Sequence, residues 1–138
     1  MSQETVEVVR QFLAAFAELD EGLVGPERIG EFLAQDAITT FSGFGFVDQQ
    51  TLRGWEFLEF RTAWMEPYDD WRYDTQKILD AGKNRVVGIF HQRGKPRDSD
   101  SWVHMDYGIV YTLEEGLIQG GQMYASPEEA LEAAGLSE

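Results

Sequence analysis

Val6, Val9, Phe12 or Leu13, Phe16 and Leu19 recur every three to four residues, with charged and small residues between them. That spacing predicts an amphipathic helix over residues 3–19, with a plausible start at Ser2, Glu4 and Thr5. Gly22 and Gly25 close it, and Pro26, suited to a first helical turn, opens a second helix over 26–34. Residues 37–41 are rich in β-branched side chains and read as a short strand. The loop 42–48, Ser-Gly-Phe-Gly-Phe-Val-Asp, is both glycine-rich and aromatic. Phe44 and Phe46 must therefore cover something, either a pocket mouth or the core. A third helix is expected from about Gln50 to Met65, stopping before Pro67 because a residue ahead of proline avoids helical backbone.

From Trp71 onward the period falls to two. Strands are predicted over 71–80, 85–94, 101–113 and 117–125, joined by turns at Ala81-Gly82-Lys83-Asn84, Gly94 to Asp100 and Glu114-Glu115-Gly116. Ser126 reads as the N-cap of a last helix, with Pro127 in its first position and Glu129 completing a capping box. The order ααβαββββα predicts an α+β domain with its helices on one face of an antiparallel meander. On the penultimate strand Tyr107, Ile109, Tyr111 and Leu113 share one face, and Trp102, His104, Asp106, Gly108 and Val110 the other. Both sheet faces look apolar and the helices can cover only one. A second copy on the leftover aromatic face, a homodimer, is the expectation.

Composition narrows the picture. A chain of 138 residues fits a single domain over 1–138 and buries roughly two thirds of its unfolded surface. Its apolar runs fall far short of the ~20 residues that cross a bilayer. Residues 1–18 alternate charged and apolar positions, unlike a secretory signal. The chain has no Cys, which removes disulfide and thiolate chemistry and fits a cytoplasmic location. With 25 acidic against 11 basic side chains the net charge is −14, so neither nucleic acid nor an anionic membrane is an expected partner. The acidity reads as solubility and self-repulsion, with high-salt adaptation or attraction of a cationic ligand as alternatives.

Four pieces in correct order carry a family resemblance: Glu7 to Phe16, Phe32 to Ala37, Ile78 to Gly82 with Arg85-Val86-Val87, and Glu129 to Leu136. Together they resemble the SnoaL-like polyketide cyclases, part of the nuclear-transport-factor-like superfamily of cone folds. The resemblance implies a cone-shaped, curved antiparallel or mixed sheet wrapped around three N-terminal helices. It does not give a reaction, because this scaffold hosts isomerases, cyclases, epoxide hydrolases, dehydratases and binding proteins. Ketosteroid isomerases of the fold pair a base with a neutral acid donor. Matching the motifs puts Phe12, Phe41 and Gly108 at the tyrosine and two aspartate positions of that mechanism. The cyclases and limonene-type epoxide hydrolases place a carboxylate at the end of the last strand, where this chain has Gln122-Met123-Tyr124-Ala125-Ser126. Those best-known chemistries are not expected.

Strand geometry offers a replacement. Centring the 94–100 loop puts His91 opposite His104 and Ile89 opposite Asp106, and a tight turn at 82–83 puts Asp74 beside His91. The resemblance makes this the pocket face. His104, Asp106 and His91 are then the candidate acid–base groups, since an imidazole beside a carboxylate exchanges protons near neutrality. The bland alternative is a pair of hydrogen-bonded rim histidines. Two His and two Asp also have the chemistry to ligate zinc or iron, but no local ligand motif appears, and neither metal nor cofactor is expected.

Phe12, Phe41, Phe44, Trp55 and Trp102 are the candidate apolar contacts, and Gln122 and Tyr124 the candidate hydrogen-bonding ones, for a small apolar cyclic ligand. Three functions compete. One is an acid–base enzyme of isomerase, cyclase or dehydratase type. Another is a non-catalytic ligand-binding or accessory dimer. The third is a structural dimer whose cone is filled by its own aromatic side chains.

Overall fold

A computed structural model of the chain describes residues 2–136, apart from the side chains of Ser2 and Phe46. Helix α1 (Ser2–Asp20) buries Val9, Phe12 and Phe16, the stripe its spacing predicts. The second helix is a single turn, α2 (Pro26–Gly30), because the chain enters strand β1 (Leu33–Ser42) three residues later. The expected third helix is also shorter. Gly45–Gln49 forms a 3₁₀ turn, Leu52–Arg53 a two-residue strand β2, and only Glu56–Met65 is helical, as α3. Asp48 holds the first turn together, its carboxylate accepting from the backbone N–H groups of Gly43 (2.8 Å) and Phe44 (2.9 Å). Phe44 packs edge-on against Phe41 and Trp64, so this loop closes the core. The Phe46 side chain lies outside the described residues.

Four long strands follow: β3 (Tyr68–Gly82), β4 (Arg85–Pro96), β5 (Val103–Glu114) and β6 (Leu117–Tyr124). With β1 and β2 they form one six-stranded sheet in the order β2-β1-β6-β5-β4-β3. Only the β1–β6 pair is parallel. The β3–β4 turn falls at Lys83-Asn84, both with positive φ, and irregularities in β3 at 75/77 and 80/82 return the register to Asp74 opposite His91. Pairing of β4 with β5 ends at Gly94 opposite Val103, which centres their loop one residue later than expected. His91 is therefore opposite Asp106, and His104 opposite Arg93. This shift of two preserves the faces, since side chains alternate with period two.

What each face meets differs from expectation. Tyr107, Ile109 and Tyr111 join Phe12, Phe16 and Phe90 in the main core, so they face the helices. The opposite face carries Val87, Ile89 and Val110, covered by Ala130 and Ala134 of α4 (Pro127–Ala133) and its following turn. The chain itself thus covers the middle of that face, while Trp102, 37% exposed, stands beyond α4. Ser126 caps α4 as expected, its Oγ accepting from Glu129 N at 3.2 Å.

Gly108 is where α4 seats. A Cβ there would lie 2.5 Å from the Cβ of Ala130. Gly108→Val should destabilise the protein by about 1–3 kcal/mol through overpacking. Combining Gly108→Ala with Ala130→Gly should recover most of the loss of Gly108→Ala alone, read as midpoints of urea unfolding. Ser126→Ala should cost about 1 kcal/mol in the same assay.

Candidate functional site

Under α1 and α3, the inner sheet face leaves a cavity of about 80 Å³. Phe12 from α1, Arg61 from α3, Trp71 and Tyr73 from β3, and Tyr107 and Tyr111 from β5 are among its walls. Strand alternation brings the tyrosines there: Tyr107 and Tyr111 are four apart on β5, and Tyr73 lies on β3 two strands away. Among the described lining residues there is no Asp, Glu or His.

Arg61 is the one charged side chain among the described residues of the wall. Its Nη1 and Nη2 donate to Asp20 Oδ1 (2.9 Å) and Oδ2 (2.8 Å) at the end of α1. Its guanidinium carbon also stacks 4.7 Å from the Phe16 ring centroid and 5.4 Å and 5.7 Å from those of Trp71 and Tyr73. Burial opposes the charge, but the Asp20 hydrogen bonds and Coulomb attraction outweigh it and raise the guanidinium pKa. The three phenols are raised too, by burial first. Tyr73 is held back by Arg61, whereas Tyr111, the most buried, lies well above the ordinary value. All four groups keep their protons at neutral pH and present N–H and O–H donors. Trp71 Nε1 is buried with no acceptor among the described residues.

Beside the cavity an open groove of about 790 Å³ runs between α1 and β3. It shares Leu13, Trp71 and Tyr73 with the cavity, and Asp20 lies on its wall. The Arg61–Asp20 pair therefore links the groove wall to the cavity wall.

The predicted acid–base residues are brought together, but on the other face of the sheet. His91 Nδ1 donates to Asp106 Oδ1 at 2.6 Å, and His91 Nε2 lies 3.0 Å from His104 Nδ1. Their face is the one α4 packs on, not the one lining the cavity, so the sheet separates them from anything the cavity holds. Asp74 is exposed on the strand beside His91. The expected pocket face was inverted because the motif match put Gly108 at a cavity-facing carboxylate position, whereas Gly108 faces α4. The inward neighbours are Tyr107 and Ile109.

Of the predicted ligand contacts, Phe12 lines the cavity, while Phe41 is buried in the core and Phe44 packs at its edge. Trp55 is exposed, with its ring over Gly30. Trp102 lies at the far end of the outer face under the Arg93 guanidinium, 5.1 Å from the ring centroid. Gln122 and Tyr124 pair with Val110 and Gly108 and share their outward face, Tyr124 against the α4 cluster. Sequence reasoning missed Arg61 as a site residue. The signal was its place between Phe57 and Trp64 on the apolar face of α3, where a cation requires a partner.

No family model and no curated protein matches the chain. Solved structures do. An NTF2-like protein of unknown function from Burkholderia pseudomallei K96243 superposes with a TM-score of 0.70 at 18% identity, covering 96% of this chain and 97% of its own. A protein from Jannaschia sp. CCS1 described as SnoaL-like polyketide cyclase gives 0.68 at 16% identity, with coverage of 100% and 95%. TerC, co-crystallised with polyporic acid, gives 0.67 at 16% identity, with coverage of 94% and 98%. With three helices inside a curved mixed sheet and a fourth behind it, the chain has the NTF2-like cone fold that these proteins share.

Proposed function

We propose that this protein binds a small, largely apolar molecule at the inner face of its cone, by donating hydrogen bonds to an oxygen of the ligand. The observation that carries this reading is a cavity wall rich in N–H and O–H donors with no carboxylate or imidazole among its described residues. Tyr73, Tyr107 and Tyr111 present hydroxyls on it, and Arg61, paired with Asp20, presents the remaining edge of its guanidinium. The buried Trp71 N–H, which has no acceptor among the described residues, adds a fifth donor once its ring turns toward the cavity. An unpaired buried donor costs about 1–3 kcal/mol, which an arriving acceptor recovers.

Size sets the pose. At about 80 Å³ the cavity is roughly half of one that encloses benzene. It holds the oxygen-bearing end of a ligand, and a ring extends toward the groove past Leu13 and Tyr73. A carboxylate or enolate competes with Asp20 for Arg61. That TerC, of the same fold, was co-crystallised with polyporic acid supports an acid as ligand. With no base on the cavity wall, binding is favoured over proton-transfer catalysis.

Benzoate, one ring and one carboxylate, is a suitable probe. Its titration should shift the Trp71 indole N–H resonance and leave those of Trp55, Trp64 and Trp102 in place. Tyr107→Phe or Tyr111→Phe, which keep the ring, should weaken binding about 10-fold or more, the worth of a hydrogen bond to a charged group. Asp20→Asn should tighten it. A spectrum unmoved up to the solubility limit, or equal affinity in both Phe variants, would sink the proposal.

The raised phenols carry a separate expectation for stability. Above about pH 10 the unfolded chain releases tyrosine protons that the folded chain retains. Stability present below that pH should therefore fall as pH rises toward the folded values. Tyr111→Phe should flatten the fall by about 1.4 kcal/mol per pH unit, measured by urea unfolding across the alkaline range.

A further inference from the structure

The β4–β5 register places His91 directly across from Asp106 and diagonally from His104, all three on the outer face. The Asp106 carboxylate accepts a 2.6 Å hydrogen bond from His91 Nδ1–H, and in that neutral tautomer the Nε2 lone pair is free to accept. That lone pair meets His104 Nδ1 at 3.0 Å, with the two rings tilted by 32°. Two nitrogens bound to one metal at about 2.0–2.1 Å, with an angle of about 90–110°, are about 2.9–3.4 Å apart. A carboxylate behind one imidazole is the partner that fixes ring orientation and raises basicity in metal-bound histidines.

We propose that His91 Nε2 and His104 Nδ1 form a binding site for a divalent late first-row metal ion such as zinc. The metal takes the place of the proton between the two nitrogens, and that proton moves to the exposed Nε2 of His104. Turning the exposed His104 ring brings both lone pairs onto the ion. Among the described residues no group of three or more ligating side chains converges, so water fills the remaining positions and the ion stays open to an outside ligand. Arg93, across from His104, opposes a cation, but its guanidinium is drawn over Trp102. Asp106, Asp74 across from His91, and the net charge of −14 favour one. Imidazole donors select zinc, copper or nickel over magnesium or calcium.

The test is a zinc titration of the full chain against a chromophoric chelator at neutral pH, with magnesium as control. Wild type should take up one equivalent of zinc and no magnesium at that site. His91→Ala and His104→Ala should each weaken uptake at least 10-fold. Asp106→Asn, which keeps both nitrogens, should weaken it about 10–100-fold. Circular dichroism checks that each exposed substitution leaves the fold intact. Absence of a stoichiometric zinc equivalent overturns the proposal. So does uptake unchanged in His104→Ala, which assigns the metal to the acidic surface. Neither result touches the cavity reading, because the two sites lie on opposite faces of the sheet.

Discussion

At Gly108 the backbone of β5 meets Ala130 of α4 with no room for a side chain between them. That contact decides which face of the sheet is outside. Alternation then carries the decision along β5: Tyr107, Ile109 and Tyr111 go in under α1, while His104, Asp106 and Val110 go out. The hydrogen-bonded partners on β4 and β6 follow the same parity, so Phe90 and Met123 pack inside and Ile89 and Tyr124 outside. A single residue of slip would exchange every one of these assignments.

The interior built this way is crowded. Phe12, Phe16, Phe32 and Tyr111 meet edge to face at 5.0–6.1 Å, and Phe90 stacks on Tyr107 at 5.2 Å. Between these rings the remaining void is small, about 80 Å³. The cavity wall carries one guanidinium and three phenols among its described residues. Arg61 is held by a bidentate ion pair and three aromatic faces, and the phenols are kept neutral by burial. Such a wall presents donors and, among the described residues, no carboxylate or imidazole. Chemistry on such a scaffold is decided by the side chains presented and not by the fold.

The outer face has a different character. Beyond the edge of α4 it carries hydrogen-bonded, solvated side chains, with the Asp106–His91–His104 chain at its centre and the Arg93–Trp102 stack beside it. The ends of the Asp–His–His chain lie on one strand, β5, and His91 on the next. The ladder hydrogen bonds of β4 and β5 therefore set the spacing of these groups, with no help from a loop.

Periodicity in the sequence alone determined most of the elements. The stripe from Val6 to Leu19, the four strands after Trp71 and the Ser126-Pro127 cap all depend on interactions within a few residues, and they form where expected. The shortened second and third helices were not legible, because β1 and β2 draw residues 33–36 and 52–53 into sheet pairing that propensity does not contain. Grouping His91 with His104 and Asp106 was legible from alternation, which is local and survives an error of two in the register. Which face they occupy was not. Both faces of β5 are apolar enough to be buried, and local pattern cannot tell a face under α1 from a face under α4. The long-range packing of Ala130 on Gly108 decided that, and with it which residues line the cavity and which stand behind the sheet.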